Sequence, residues 1–227
     1  MELKVIALRE MRTLKLLIAA FLLVGIAACG LNTRGLVKPL EPTRPPIQTS
    51  TQNLPREVRL MLESVVEQTK ITKAYDPNYT VLSYPNGDVP LEKGVCTDVV
   101  VRAVRRAGVD LQKEVHEDMS ANFAVYPQKW NLKRADANID HRRVPNLQTF
   151  FARKNKSLPI TTNAGDYKPG DIVAWDLDGK GTTHIGLVSN FWNDATTRFS
   201  IIHNIGRGAE TEDALFNWKI IGHYRYF

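Results

Sequence analysis

One segment restricts the fold of this chain more than any other. In Gly94-Val95-Cys96-Thr97-Asp98-Val99-Val100-Val101, an extended, glycine-bearing stretch turns into a helix with a cysteine at its start. Beyond it, apolar residues recur at Val99, Val100, Ala103, Val104 and Ala107, with Arg102, Arg105 and Arg106 between them. That is the 3.6-residue spacing of a short amphipathic helix, and Gly108 is its expected C-terminal stop. Cys96 falls in the first turn, where unpaired N–H groups and the helix dipole favour an anion. A thiolate stabilised there has a lowered pKa, which is how a protein makes a nucleophile. A small buried residue packing the helix start fits Cys96 alone equally well.

The N-terminus reads as a secretion signal. Lys4, Arg9, Arg12 and Lys15 precede an apolar run from Leu16 to Ala28, giving a basic n-region and a short h-region rather than a mature transmembrane helix. Met11 opens the better n-region and is an alternative start to Met1. The run ends Ile26-Ala27-Ala28-Cys29. These residues resemble a bacterial lipobox, in which the cysteine is acylated and becomes the first mature residue. The alternative is ordinary cleavage after Ala28. The lipoprotein resemblance implies an outer-membrane anchor facing the periplasm, because Gly30 is not the aspartate of inner-membrane retention; several acyl chains make such anchoring durable. With Cys29 lipidated, Cys96 has no disulfide partner in a chain of two cysteines. A lone thiol in an oxidising compartment favours the reactive reading.

Residues 29–54 hold Pro39, Pro42, Pro45 and Pro46 among Thr, Ser, Gln and Asn, and read as a semi-extended tether. Residues 55–227 are then one domain. The formal charge of +6 allows weak attraction to anionic cell-wall polymers but is no nucleic-acid signature. Pro55 suits the first turn of a helix whose stripe is Val58, Met61, Leu62, Val65 and Val66. Tyr79 to Tyr84 alternates like a short strand, and Pro85-Asn86-Gly87-Asp88 is a turn. Tyr75, Tyr84 and Asp88 are polar groups just upstream of Cys96. A segment with His116-Glu117-Asp118 is followed by a loop-rich stretch with Trp130, Asp140-His141-Arg142-Arg143 and Pro145, and then a short helix around Leu147, Phe150 and Phe151. His116, Asp118, Asp140 and His141 are four possible metal ligands, but without a metal-site spacing, and a hydrogen-bonded loop is the simpler reading. Arg142 and Arg143 suit a substrate carboxylate.

The C-terminal third is β-rich. Ile172–Trp175, His184–Val188, Phe199–Asn204 and Ile220–Phe227 are expected strands, separated by short turns that imply an antiparallel meander. Neighbouring strands can bring His184 and His203 to one face and one end. A cysteine at a helix start, a histidine at a strand start and a polar residue on the next strand would make a triad.

Cys96 at a helix start, Pro169-Gly170-Asp171 before a strand, His184-Ile185-Gly186-Leu187-Val188 and then His203 resemble the NlpC-type, papain-like cell-wall peptidase superfamily. More closely, Gly94 to Val100, Val115-His116-Glu117-Asp118-Met119, Asn138 to Leu147 and His203-Asn204-Ile205-Gly206 resemble the bacterial family catalogued as domain of unknown function 1287, over roughly residues 57 to 227. The resemblance implies an α+β, papain-like domain, with N-terminal helices packed on an antiparallel β-sheet, that hydrolyses amide bonds in peptidoglycan stem peptides. It implies Cys96 as nucleophile, His184 as general base and His203 as orienting residue. Asn204 is the alternative third residue, although strand alternation points it to the opposite face. The Cys96 N–H with Tyr75 or Tyr84 would hold the oxyanion. No metal or organic cofactor is required. The expected partners are peptidoglycan or a peptide, and the membrane through the lipid, with the protein acting as a monomer. Val95 departs from the aspartate that often precedes the cysteine, and Thr97-Asp98 from the usual Ser-Gly. A non-catalytic cell-wall or protein-binding module on the same scaffold is the competing expectation, and a metal hydrolase the third.

Overall fold

The computed structural model describes residues 45–227; the signal segment, Cys29 and the tether up to residue 44 lie outside the described residues. The described part of the tether already belongs to the domain. Strand β1 (Ile47–Gln48) pairs with Phe191 and Trp192, and Thr49 is hydrogen bonded to Asn190. The domain therefore starts before Pro55.

Helix α1 (Arg56–Ile71) buries Val58, Met61, Leu62 and Val65, the expected stripe. Strands β2 (Ala74–Tyr75) and β3 (Lys93–Gly94) form a two-stranded parallel pair, and β3 leads into helix α2 (Cys96–Arg106). Gly108 follows with φ +98°, the left-handed conformation that ends a helix without a Cβ clash. Tyr79 to Tyr84 forms no strand, and Val81 points to solvent. The segment around His116 is a full helix, α3 (Leu111–Ala121), capped by Asp110 accepting from the Gln112 N–H. A single 3₁₀ turn, Asp140–Arg142, leads into helix α4 (Val144–Arg153).

Strands β4 (Ile172–Asp176), β5 (Thr183–Asn193), β6 (Arg198–Asn204) and β7 (Ala209–Glu212) form the meander, and β8 (Lys219–Tyr224) returns to the far side of β4. All these pairings are antiparallel. Strand alternation divides the sheet's residues between two cores. Ile172, Ala174, Ile185, Leu187 and Ile202 face the helices and pack with Val99, Val100 and Phe151. Val173, Trp175, Val188 and Ile201 face the other way, under Tyr167, Ala214 and Leu215. The fold is α+β, four α-helices among the described residues packed on an antiparallel sheet.

The C-terminus is pinned by a buried carboxylate. Asp171 accepts from His223 Nε2 at 2.9 Å, from Arg225 Nε at 2.7 Å and Nη2 at 2.8 Å, and from the Lys168 N–H at 2.8 Å. Burial opposes its charge, but hydrogen bonds from His223 and Arg225 outweigh this and hold its pKa below the ordinary value. Its stabilisation is thus present above the unfolded-state pKa and lost as pH falls through the lower folded value. Asp171→Ala should cost about 2–4 kcal/mol in urea denaturation at pH 7, and the difference from wild type should shrink as the pH is taken below about 4.

Candidate active site

The approach to Cys96 is shaped by one buried ion pair. Asp98, in the first turn of α2, accepts from the Val95 N–H at 2.7 Å and closes the turn on which Cys96 sits. The same carboxylate takes a two-pronged bond from Arg142, Nε to Oδ1 and Nη2 to Oδ2, both 3.0 Å. A Cβ on Gly94 would lie 2.8 Å from Asp98 Oδ2, so this packing needs glycine there. Arg142 reaches on to the carbonyls of Asn78 and Asp76. Arg102, expected on the solvent face of α2, is instead buried, binding Asp88 and the carbonyls of Val89, Pro90 and Lys93. Asp88 is thereby committed to the loop ahead of Cys96, not to a site.

Cys96 lies in a cleft of about 220 Å³ lined by Tyr75, Cys96, Trp130, Arg142, Arg143 and Thr183, among others. Arg143 stacks on Trp130, its guanidinium carbon 4.1 Å from the ring centre. Tyr75 stays a proton donor, its pKa raised by burial and by nearby Cys96 and Asp98. Tyr84 is elsewhere, edge-on to His116 at 5.2 Å, so of the two tyrosines only Tyr75 lines the cleft. A larger cleft of about 870 Å³, lined by Tyr79, His116, Ser120, Phe123 and residues 131–138, contains none of the expected catalytic residues.

The expected low thiol pKa is not found. Burial pushes the Cys96 thiol up to about 12, and nearby Asp98 adds to this. Hydrogen bonds from the backbones of Ile185, Thr97 and Cys96 itself pull the other way and do not compensate. The helix start thus provides donors, but the dry surroundings win.

Across the sheet, His184 and His203 meet as the alternation predicts: His184 Nε2 lies 2.7 Å from His203 Nδ1. A Cβ on Gly186 would fall 2.9 Å from His203 Cβ, so Gly186 makes room for this pair. The chain of contacts continues to a residue missing from the sequence reading: His203 Nε2 lies 2.8 Å from Glu212 Oε2 on β7. Burial, with the neighbouring His203, lowers the pKa of His184 to about 3. Burial also lowers that of His203, against an upward pull from Glu212. His184 is therefore neutral throughout the neutral range and loses that form only in strong acid.

Both histidines occupy the Trp175 face of the sheet, whereas Cys96 packs with Ile185 on the helix face. Among the described residues no hydrogen bond joins Cys96 to His184. The thiol sits instead at the backbone of Ile185, the residue after His184. Here the ladder between β5 and β6 has ended, its last pair in this direction being Leu187 with Ile202. Asn204 faces Cys96's side, opposite His203, and its side chain is fully used. It donates to the Ala74 and Gly94 carbonyls and accepts from the N–H groups of Gly206 and Gly208, bracing the loop before Cys96.

The four possible metal ligands disperse. Asp118 binds Arg153 at 2.6 Å and Tyr126 at 2.7 Å. Burial raises Asp140 to about 6 and lowers His141 to about 4. Among the described residues no three His, Cys, Asp or Glu side chains converge as a ligand set.

Residues 62–226 match the family described as Domain of unknown function (DUF1287). The chain belongs to that family. It is 60% identical over 162 residues to "Uncharacterized protein YijF" of Escherichia coli K12, covering 71% of this chain and 78% of that one. Among solved structures it is similar to NlpC1 from Trichomonas vaginalis, at 12% identity and a TM-score of 0.40. That match covers 79% of this chain and 47% of the other, so the chain spans about half of that structure's length.

Removing Arg142 should strand the Asp98 carboxylate in the core. Arg142→Met is expected to lose about 3–5 kcal/mol in urea denaturation, whereas the surface variant Arg207→Met should change little.

Proposed function

We propose that this DUF1287 protein is a cysteine hydrolase of amide bonds, acting on the stem peptides of peptidoglycan while anchored through a lipid on Cys29 at the periplasmic face of the outer membrane. The observation that carries the proposal is the hydrogen-bonded chain His184–His203–Glu212, whose His184 end directly precedes Ile185, one of the backbone positions hydrogen bonded to the Cys96 thiol. Chains of this kind hold a base in a fixed tautomer.

Both groups rest uncharged, so the chemistry is general-base attack rather than reaction of a preformed thiolate–imidazolium pair. As a peptide carbonyl enters the cleft, Cys96 Sγ bonds to its carbon while the thiol proton passes to His184 Nδ1. The oxyanion is held by the Cys96 backbone N–H and the Tyr75 hydroxyl. The imidazolium returns the proton to the departing amine, leaving a thioester. Water, deprotonated by the same nitrogen, then releases the carboxylic acid and regenerates the thiol.

The competing reading is a module that binds cell-wall peptides without cutting them, and the high thiol pKa is what favours it. Digestion of purified peptidoglycan, followed by mass spectrometry of the soluble fragments, separates the two. The wild type should release peptides with newly exposed amines, and Cys96→Ala should release none while still sedimenting with the polymer. Binding without release by the wild type would establish the module instead.

A further inference from the structure

We infer that Glu212 is the positioning residue of the histidine pair: its carboxylate fixes the tautomers of both histidines, so that the nitrogen of His184 left free to accept a proton is Nδ1. The inference rests on the hydrolase reading for its purpose but not for its geometry. An ionised carboxylate only accepts, so the 2.8 Å contact requires a proton on His203 Nε2. Burial disfavours a second proton on His203, which leaves the lone pair on its Nδ1. The 2.7 Å contact then requires a proton on His184 Nε2, which leaves His184 Nδ1 as the acceptor. One carboxylate, two hydrogen bonds away, thus decides which nitrogen of His184 can accept a proton.

The surroundings make Glu212 the residue able to set this order. The faces of both rings are covered by Trp175 and Trp218, whose hydrocarbon surfaces impose no tautomer. The charged groups at this end are Glu212, Glu210 and Arg207. Arg207 reaches Glu210 Oε2 at 3.0 Å and Glu212 Oε1 at 3.5 Å. Glu210 adds to the attraction on a protonated His203 from a distance, but the hydrogen bond is made by Glu212 alone. Glu212 stands opposite Ile201 on β7, which places its side chain on the histidine face of the sheet. Its side chain is 35% exposed, so replacing it leaves no cavity in the core.

The test is nitrogen-15 NMR of the imidazoles in full-length protein, for wild type, Glu212→Ala and Glu212→Asp. In the wild type at pH 7, both His184 and His203 should carry the proton on Nε2. Glu212→Ala should convert His184 and His203 to mixed tautomers, and Glu212→Asp should restore much of the wild-type pattern. An unchanged His184 tautomer in Glu212→Ala would overturn the inference. This readout needs no turnover, so it stands even if the wild type proves not to cut peptidoglycan. Where turnover is measured, Glu212→Ala should lower kcat about 10–100-fold with KM within about twofold. An unaltered kcat would equally overturn it.

Discussion

The Asp98–Arg142 pair is the constraint on which the site depends. Its side chains are almost wholly out of water, at 2% and 4% exposure. Burying two charges costs several kcal/mol per ion, recovered only when geometry is good and the remaining donors are satisfied. Here the fork meets the carboxylate squarely, the spare carboxylate oxygen capacity takes the Val95 N–H, and the spare guanidinium N–H groups take two carbonyls. The result welds three separate parts of the chain: the first turn of α2, the loop after β2 and the turn before α4. Those three supply Cys96, Tyr75 with Pro77, and Arg143 with Val144 to the same cleft. Asp98 thus gains its meaning from an arginine 44 residues later.

Around that frame the ionisable groups are kept neutral. Cys96 and His184 are both buried enough that the charged form of each is disfavoured, and the histidine–histidine contact further penalises a proton on His184. The neutral thiol resists oxidation better than its thiolate would.

The sequence made the fold class legible because strands and helices here obey simple periods. The α1 stripe, the α2 stripe and the pairing of His184 with His203 all follow from counting residues. Helix α3 is open to the same counting, since Leu111, Val115 and Met119 repeat every four residues behind an Asp110 cap. Strand β7 was harder. Ala209-Glu210-Thr211-Glu212 is short, acidic and at a sheet edge, where no apolar alternation is demanded, and Glu212 was hidden with it. The thiol pKa was misjudged because the sequence shows the helix dipole but not the dryness of its surroundings. Asn204's role depends on a loop over a hundred residues away, and Tyr84's exclusion from the cleft on the path of residues 76–92, which form no helix or strand.

Under the proposed hydrolase reading, Cys96 rests as a neutral thiol and becomes a nucleophile only as its proton leaves. The direct measurement is the rate of Cys96 alkylation by iodoacetamide between pH 5 and 10. With burial dominating both groups, the rate should be slow through the neutral range and climb with pH without levelling off. A fast, pH-independent plateau from pH 5 upward would mean a standing thiolate–imidazolium pair and would contradict it.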